Sequence, residues 1–375
     1  MCGSSLMPFG RIDNPMPNEL PEPTFLFAVC QRGVEWALKD EVAARWPQLH
    51  FAFSRPGFVT FKQTGEKTAS NSNPLIGSVY ARTCGRTIGQ AKGDSLAERA
   101  EQFWATAGSE PYDHLHIWQR DAALPGDHGF WPGPAALANE IGAQLLSFDS
   151  DKEVPVNELA RPNQRVLSCI MVEPDHWWVG LHRVESVPQR WPGGVPKLTP
   201  PDEMISRAYV KTAEALAWSR LPANPGDAFV EIGCSPGGSV QALLDRGYTV
   251  TGIDPAEVDE RLRNREGFTH IRKRGADLRR REYKAFRWLT ADLNVAPSYT
   301  LETVENIVTY PGVKIDGMLL TLKLLDRPLY ALAGDFVGRV RSWGYEEVRI
   351  RQLALGRQEI CLAALRSKAL RRKKT

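Results

Sequence analysis

Apolar residues in the first half of the chain recur with two spacings, one typical of strands and one typical of helices. Dense or alternating apolar runs predict strands, whereas apolar residues three or four positions apart predict amphipathic helices. The patterns predict strands over Thr24–Cys30, Leu49–Phe53, Phe58–Phe61, His114–Trp118, Val166–Val172 and His176–Val184, and helices over Gly33–Trp46 and Pro134–Leu146. Strand–helix–strand–strand is suggested twice, so we expect an α+β N-terminal region, with two small subdomains as an alternative arrangement.

A proline-rich segment, Val187–Pro201, follows this region. It holds five prolines and two glycines, residues that interrupt helices and strands, and it predicts a linker between domains. The expected division is a lead-in at 1–23, an α+β region at 24–186, the linker at 187–201, a second domain at 202–366 and a basic tail at 367–375.

Strands and helices alternate regularly in the second half of the chain. The pattern predicts helices over Ser206–Ser219, Val240–Arg246 and Pro328–Trp343, and strands over Ala228–Ile232, Thr249–Ile253, Thr269–Lys273, Phe286–Thr290, Gly317–Leu322, Val348–Leu353 and Ile360–Ala364. Because parallel strands need long crossover connections, this alternation predicts an α/β fold with a doubly wound parallel sheet and an antiparallel edge at its end.

Length and composition support this division. A chain of 375 residues is longer than a domain built around one hydrophobic core usually is. A hydrophobic fraction of 42% with 24% charged residues is typical of a soluble globular protein. The sequence contains no run of about 18 apolar residues, the length that a membrane-spanning helix needs, so we expect no membrane partner. Residues 1–23 are rich in proline and polar residues and lack the pattern of a signal peptide, so we expect a disordered lead-in.

The cysteines are scattered along the chain without a C-x-x-C pair. They are Cys2, Cys30, Cys84, Cys169, Cys234 and Cys361. Their spacing argues against a disulfide framework and against a structural zinc site, so we expect no metal. It fits a cytoplasmic protein in which most of them are small buried hydrophobic residues.

Charge is divided unevenly between the two halves. Residues 1–185 carry 16 Lys and Arg against 22 Asp and Glu, and residues 186–375 carry 31 against 22, within a net charge of +3. A basic half predicts a polyanionic partner such as nucleic acid, and a merely solvated basic face is the alternative.

A glycine-rich turn follows the predicted strand Ala228–Ile232. Glycines in Glu231–Gly238 (EIGCSPGG) let the backbone approach a ligand, and the N–H groups where the next helix begins favour an anion. About twenty residues further on, a second strand ends in Asp254, at the position that accepts hydrogen bonds from ribose hydroxyls in nucleotide-binding folds. The loop therefore predicts a cofactor site, with a tight turn that binds no ligand as the alternative.

The same loop resembles the [D/E]-x-G-x-x-P-G-G loop of the FtsJ-type ribose 2′-O-methyltransferases. The further segments that resemble this family are Ser206–Lys211 (S-R-x-x-x-K), Leu289–Leu293 (fourth strand with its terminal Asp), Leu320–Leu324 (fifth strand with its Lys) and Arg357–Ile360 (R-x-E). The resemblance implies a Rossmann-like methyltransferase sheet and S-adenosyl-L-methionine as the cofactor.

The resemblance also assigns roles to residues. It implies a catalytic tetrad of Lys211, Asp292, Lys323 and Glu359, in which Lys323 activates the 2′-hydroxyl and Lys211 helps it to lose a proton or orients the ribose. It implies that the cofactor is bound by Ser206, Glu231, Gly233, Ser235, Pro236, Gly237, Gly238, Asp254, Asp277 and Asp292. Two positions depart from the family pattern, because Ser239 stands where the family has Trp and the region around Asp277, the expected adenine contact, differs in length.

The predicted linker indicates which group of methyltransferases the chain resembles. Trp191–Leu198 resembles the segment before the catalytic domain of bacterial large-subunit (23S) ribosomal RNA methyltransferases of type M, which carry a THUMP-like N-terminal region that binds RNA. Val166–Val184 looks like the closing hairpin of such a region. The resemblance therefore implies a THUMP/ferredoxin-like fold for residues 24–186 and RNA, in particular ribosomal RNA, as the partner.

Basic clusters are the expected contacts to RNA phosphates, which would make binding depend strongly on salt. They are Arg272–Arg274, Arg279–Arg281 and Arg371–Lys374. Trp177 and Trp178 are candidates for base stacking, although the alternating faces of a strand place one of the two in the core.

Other functions stay open on the sequence alone. The main alternative is an RNA-binding or assembly protein with a degenerate methyltransferase domain, which the complete tetrad disfavours. A methyltransferase of base nitrogens or of protein is disfavoured because Ala291–Asn294 (ADLN) lacks the Asn/Asp-Pro-Pro-aromatic sequence. An NAD oxidoreductase is disfavoured because the loop lacks the third glycine of G-x-G-x-x-G, and no P-loop is present.

Overall fold

The computed structural model describes residues 24–64, 73–148 and 154–366, and the strands in this part of the chain form two seven-stranded sheets. The predicted disordered lead-in at 1–23 with Cys2 and the basic tail at 367–375 with Arg371–Lys374 lie outside the described residues.

The first sheet is mainly antiparallel. Its strands are β1 (Thr24–Val29), β2 (Leu49–Arg55), β3 (Phe58–Gln63), β4 (Thr83–Lys92), β5 (His114–Gln119), β6 (Arg165–Glu173) and β7 (His176–Arg183), with helices α1 (Glu35–Arg45), α2 (Leu96–Ala107) and α3 (Ala136–Phe148). The strand order is β2-β3-β1-β4-β7-β6-β5, and β5 pairs with β6 in parallel. The prediction of an α+β region is confirmed, but as one continuous sheet rather than two small subdomains.

Two elements of this region, β4 and α2, were not predicted from the pattern. Strand β4 carries two glycines and polar residues that weaken its apolar alternation. Helix α2 begins with a capping box, since Ser95 Oγ accepts a hydrogen bond from the Glu98 amide at 3.1 Å and the Glu98 carboxylate accepts one from the Ser95 amide at 3.3 Å. The S-x-x-E spacing is thus a sequence signal that marks where this helix starts.

Both faces of the first sheet are covered, which corrects the interpretation of the tryptophan pair. Trp177 is 1% exposed and packs with α2 and α3, and Trp178 is 6% exposed and packs with Phe53 and Phe58 on the opposite face. Neither ring is accessible for stacking on a base, because the alternating faces of β7 both point into apolar clusters.

The second sheet confirms the predicted doubly wound fold. Its strands are β8 (Ala228–Ile232), β9 (Thr249–Ile253), β10 (Phe268–Ile271), β11 (Trp288–Asp292), β12 (Gly317–Lys323), β13 (Glu347–Arg351) and β14 (Glu359–Leu365), and its helices are α4 (Ala208–Ser219), α5 (Gly238–Leu244), α6 (Glu260–Arg263), α7 (Pro297–Val308) and α8 (Ala333–Ser342). The order is β10-β9-β8-β11-β12-β14-β13, parallel from β10 to β12. The expected antiparallel strand is β14, which lies between β12 and β13 and not at the edge itself.

Alternate residues of the central strands face two helix layers. Phe229 of β8 packs with Val240 and Leu243 of α5, whereas the neighbouring Val230 packs on the other face, where α7 and α8 lie. Helix α7 was not predicted, although it buries Leu301, Val304, Ile307 and Val308 at a helical spacing. Burial on both faces explains why most residues of these strands are apolar.

Residues 187–201, the predicted linker, include a closely packed stretch. Trp191, Gly193 and Val195 are buried. A Cβ on Gly193 would lie 3.3 Å from the Trp118 ring, and one on Gly194 would lie 2.8 Å from the Arg82 carbonyl oxygen. The segment therefore packs against the first sheet, and the domain boundaries on either side of it stay a prediction.

The cysteines among the described residues are buried, as predicted, and form no disulfide; they are Cys30, Cys84, Cys169, Cys234 and Cys361. Burial raises the pKa of Cys84, for example, to about 12, so this thiol stays protonated at neutral pH. Among the described residues, no helix is both long and apolar enough to cross a membrane.

Candidate active site

The carboxyl ends of β8, β9, β11 and β12 form one edge of the second sheet. From β8 the chain continues to β9 and β10 on one side and then returns to β11 and β12 on the other, so the strand order reverses between β8 and β11. Ligands of such sheets bind in the crevice at this switch point. The loops after β8 and β11 meet there, since a Cβ on Gly233 would lie 3.0 Å from the Asp292 carbonyl oxygen.

Four charged side chains from four elements converge beside this crevice. Lys211 lies in α4, Asp292 ends β11, Lys323 ends β12 and Glu359 begins β14. Antiparallel pairing of β12 with β14 sets Lys323 directly opposite Glu359, and parallel pairing sets Asp292 beside Thr321. The backbone register thus brings together residues that are up to 148 positions apart in the sequence.

The four side chains form a closed ring of alternating charge, which we call the tetrad ring. The Lys211 Nζ lies 2.6 Å from Asp292 Oδ2 and 3.0 Å from Glu359 Oε1. The Lys323 Nζ lies 2.8 Å from Asp292 Oδ1 and 2.5 Å from Glu359 Oε2. All four side chains are 10–17% exposed, so the ring is largely desolvated and its two positive and two negative charges compensate each other.

The ring fixes the charge of two of its members. Burial by itself lowers the pKa of Lys211, but the Asp292 and Glu359 carboxylates outweigh it and raise this pKa well above the usual range. Burial by itself raises the pKa of Asp292, but the two lysines outweigh it and lower this pKa. Lys211 is therefore an ammonium and Asp292 a carboxylate at neutral pH.

The glycine loop is held in place by hydrogen bonds to Asp254. Asp254 Oδ2 accepts a hydrogen bond from the Ser235 amide at 3.2 Å, and Oδ1 accepts one from the Ala256 amide at 2.8 Å. Ser235 Oγ donates to the Glu257 carbonyl at 2.7 Å, and Pro236, which follows through a cis peptide bond, is exposed. Asp254 is partly exposed, and each of its oxygens retains capacity to accept another hydrogen bond.

Gly237 and Gly238 are required by close packing. Gly237 has a φ of +120°, and a Cβ there would lie 2.1 Å from Leu262 Cδ1. A Cβ on Gly238 would lie 2.2 Å from Ser206 Oγ, so Ser206 marks the contact between the start of α4 and the start of α5.

The arrangement fits S-adenosylmethionine. The carboxylate oxygens of Asp254 can accept hydrogen bonds from hydroxyl groups, and Gly233 has a φ of +83°, which residues with a side chain rarely adopt. Asp292 adds a second carboxylate at the end of β11, the strand that pairs with β8. Asp277 lies exposed in the 3-10 turn after β10, at the same edge of the sheet.

Glu231 occupies a different environment from the other predicted cofactor residues. Its side chain is 1% exposed and accepts a hydrogen bond from Thr290 Oγ1. Burial raises the pKa of Glu231 to about 8, so the group is largely protonated at neutral pH. Glu231 therefore supports the loop and the tetrad ring from beneath the surface.

Sequence reasoning missed the polar residues around Glu231. Ser239, at the position where the family pattern has Trp, accepts a hydrogen bond from Thr212 Oγ1 at 2.8 Å. Ser239, Thr212 and Thr290 line a small cavity of about 30 Å³ together with Lys211 and other tetrad residues. The small side chain at 239 was the available signal, because a missing indole leaves space in a packed interior.

The predicted RNA contacts lie at the same sheet edge, on the side of β10. Arg272–Arg274 follow β10 directly and are exposed, with Arg272 in a 2.6 Å ion pair with Glu257. Arg279 and Arg281 are exposed too, whereas Arg280 donates to backbone carbonyls of its own turn. These residues and the tetrad ring border the glycine loop from opposite sides.

Comparison with known proteins agrees with this geometry. Residues 204–324 match the FtsJ-like methyltransferase family. A ribosomal RNA large subunit methyltransferase M from Azotobacter vinelandii is 31% identical over 263 residues, which span 64% of this chain and 71% of that protein. The chain belongs to the family of ribosomal RNA large subunit methyltransferases M.

Two further members show how far the likeness extends. The protein of the same name from Tolumonas auensis is 24% identical over 383 residues and covers 93% of this chain and 98% of its own length. The one from Halorhodospira halophila is 33% identical over 134 residues, which is 35% of this chain and only 38% of that protein. The higher identity of the Halorhodospira halophila protein is thus confined to part of each chain, and the resemblance to the family is confirmed.

Proposed function

We propose that this protein is an S-adenosyl-L-methionine-dependent RNA methyltransferase that modifies a ribose 2′-hydroxyl, and that its substrate is large-subunit (23S) ribosomal RNA in the cytoplasm. The observation that carries the proposal is the tetrad ring of Lys211, Asp292, Lys323 and Glu359 beside the glycine loop. Membership of the large subunit methyltransferase M family supports the choice of RNA.

The ring has the groups that this reaction needs. S-adenosylmethionine supplies the methyl group from a sulfonium, an excellent donor, so the protein has to align the acceptor and remove a proton. Two positions of the Lys323 Nζ face Asp292 and Glu359, which leaves the third for the acceptor oxygen. Lys323, once it has passed one proton to solvent water, is a neutral amine and takes the proton of the 2′-hydroxyl at this third position.

The other three members hold Lys323 in place. Lys211 stays charged and binds both carboxylates, so that neither rotates away from Lys323. Asp292 also adjoins the glycine loop, and the proposed cofactor site is completed by Ser206, Gly233, Ser235, Pro236, Gly237, Gly238, Asp254 and Asp277. Glu231 supports this site from beneath the loop. The exposed arginines and lysine after β10 bind phosphates of the RNA.

The test is to map ribose methylation in ribosomal RNA from cells with and without the gene, and from cells that carry Lys323→Ala. We expect one 2′-O-methyl group to disappear from 23S ribosomal RNA in both altered strains. An unchanged methylation map, together with no binding of S-adenosylmethionine in calorimetry, would favour the RNA-binding or assembly protein instead.

A further inference from the structure

The connection between β5 and α3 reaches from the first sheet to the tetrad ring. Within it, the Pro125 carbonyl accepts a hydrogen bond from Arg357 Nε at 3.0 Å, and Asp127 forms an ion pair with the Arg357 guanidinium. Asp121, at its start, is anchored to the first sheet by a bidentate ion pair with Arg82 at 2.8 and 3.0 Å. A segment of the N-terminal region is therefore fixed beside the catalytic residues.

Arg357 and Arg207 flank the tetrad ring. Arg357 lies two residues before Glu359, and Arg207 immediately precedes α4, which carries Lys211. The Arg207 side chain packs on Gly126 of the same connection, where a Cβ would lie 2.8 Å from Arg207 Cδ. Two guanidinium groups from different elements thus converge next to the proposed acceptor position.

The environment of these arginines calls for an anion. The Arg207 Nε is buried and has no hydrogen-bond partner among the described residues. Burial and the neighbouring positive charge of Arg357 both lower the pKa of Arg207, with Glu359, Asp127 and Asp292 compensating in part. The anion now bound to Arg357 is the Asp127 carboxylate, in a pair whose side chains are both 37% exposed. Exposed pairs of this kind are worth about 1 kcal/mol or less, so the contact is readily exchanged.

Phosphate is the anion that an RNA acceptor brings to this place. Every internal ribose in RNA is flanked by phosphodiesters, and guanidinium groups bind phosphate through two parallel N–H donors. A ribose whose 2′-oxygen contacts Lys323 carries its phosphates along the surface around the ring, where Arg207 and Arg357 lie. The cofactor, in turn, would lie at the glycine loop, which contacts Asp292 where strands β8 and β11 end.

We propose that Arg207 and Arg357 bind the phosphate that adjoins the methyl-accepting ribose, and that this phosphate replaces the Asp127 carboxylate on Arg357. The proposal rests on the function proposed above. It makes the first-sheet region part of the acceptor site itself, because residues 121–131 position both arginines.

The test compares full-length variants on a transcript of large-subunit ribosomal RNA. For Arg207→Gln we expect the KM and Kd for RNA to rise about tenfold, with kcat changed less than threefold and the affinity for S-adenosylmethionine in calorimetry unchanged. The slope of log Kd against log salt falls by about one, as for one lost phosphate contact. Arg207→Lys keeps the charge and should keep the slope. Arg341→Gln is the matched control, because Arg341 is exposed in the last turn of α8 at the opposite edge of the sheet.

Asp127→Asn tests whether a phosphate of the RNA replaces the Asp127 carboxylate on Arg357. Removing the competing carboxylate frees Arg357, so we expect RNA to bind two- to fivefold more tightly at low salt, with thermal stability unchanged. Weaker RNA binding by this variant would mean that Asp127 anchors the connection and would overturn the exchange.

The outcomes separate this inference from the proposed function. If the wild-type protein transfers no methyl group to ribose, the proposed function and the phosphate site fail together. If the wild type is active but Arg207→Gln behaves like Arg341→Gln, or loses affinity for S-adenosylmethionine instead of RNA, the phosphate site alone is wrong.

Discussion

Each lysine of the tetrad ring contacts both carboxylates, and each carboxylate contacts both lysines. Removing one member of such a buried set leaves an uncompensated charge, so single substitutions act on the remaining three residues as well. The ring therefore behaves as one unit, and Lys323 is the member proposed to contact the acceptor oxygen.

Lys323→Ala should lower kcat for methyl transfer by a factor of 10³ or more, because the group that takes the proton is lost. Binding of S-adenosylmethionine should stay within about threefold of the wild type, which calorimetry measures. Lys314→Ala, at an exposed position before β12, is the control and should keep full activity. Full activity of the Lys323 variant in a tritium-transfer assay would refute its role.

Glu231 provides a prediction about pH. Its carboxyl group loses a proton near pH 4.5 in the unfolded chain and near pH 8 in the folded protein. Between these values the folded state binds a proton that the unfolded state does not, so this group makes the free energy of unfolding fall as pH rises from 4.5 to 8.

Glu231→Gln cannot lose a proton, so its stability relative to the wild type should increase across this window. The gain should reach roughly 2–5 kcal/mol at pH 8–9, measured by denaturant unfolding at several pH values. Glu302→Gln, at an exposed position in α7, controls for the substitution itself. A difference between Glu231→Gln and wild type that does not vary with pH would show that Glu231 is already ionised when folded.

At the level of elements, the decisive contact is the one between α4 and α5. Helix α4 carries Lys211 and α5 follows the glycine loop, and the two meet where Gly238 touches Ser206. The absence of a side chain at 238 therefore sets the distance between the loop and the tetrad ring.

Gly238→Ala should destabilise the protein by about 1–3 kcal/mol, since a Cβ would lie 2.9 Å from the Ser206 carbonyl and 3.1 Å from the Tyr209 amide, both backbone atoms. Affinity for S-adenosylmethionine should fall with it. Gly334→Ala in α8 is the control, because a Cβ there meets nothing within 4 Å, and it should change stability by less than about 1 kcal/mol. Equal melting temperatures for the two variants would contradict the packing argument.

Element prediction succeeded where burial made the pattern simple. The apolar strands β8, β9 and β12 were located to within about two residues, because both of their faces are covered by helices. Strand β4 was not predicted because its polar and glycine residues show no strand pattern. They form a strand by pairing with β1 and β7, which only the folded sheet brings alongside.

On the scale of the whole molecule, a buried polar network joins the two sheets. Arg82 binds Asp121 and the Gly193 carbonyl, and its own carbonyl accepts a hydrogen bond from Arg351 of β13 at 2.7 Å. Gln31 donates to the Gly356 carbonyl at 2.6 Å, close to Glu359. The position of the tetrad ring is therefore coupled to the first sheet.

Asp121→Ala should destabilise the protein by about 3–5 kcal/mol, because it leaves the Arg82 guanidinium buried without its partner. Chemical denaturation measures the loss. Glu110→Ala breaks the surface pair with Arg86 and is the matched control, with an expected change below about 1 kcal/mol. Similar losses for both variants would show that the Arg82–Asp121 pair does not hold the sheets together.

The sequence by itself determined the doubly wound sheet, the antiparallel strand near its end and the order of the family's motifs, because each depends on local spacing and on residues that are close along the chain. Only the tertiary structure decided that Lys211, Asp292, Lys323 and Glu359 close into a ring, that Glu231 is buried beneath it and that both Trp177 and Trp178 are inaccessible. It alone revealed Arg207 and Arg357 facing residues 121–131. The physical reason is that strand register, burial and charge pairing arise between distant segments, and no local pattern encodes which of them will meet.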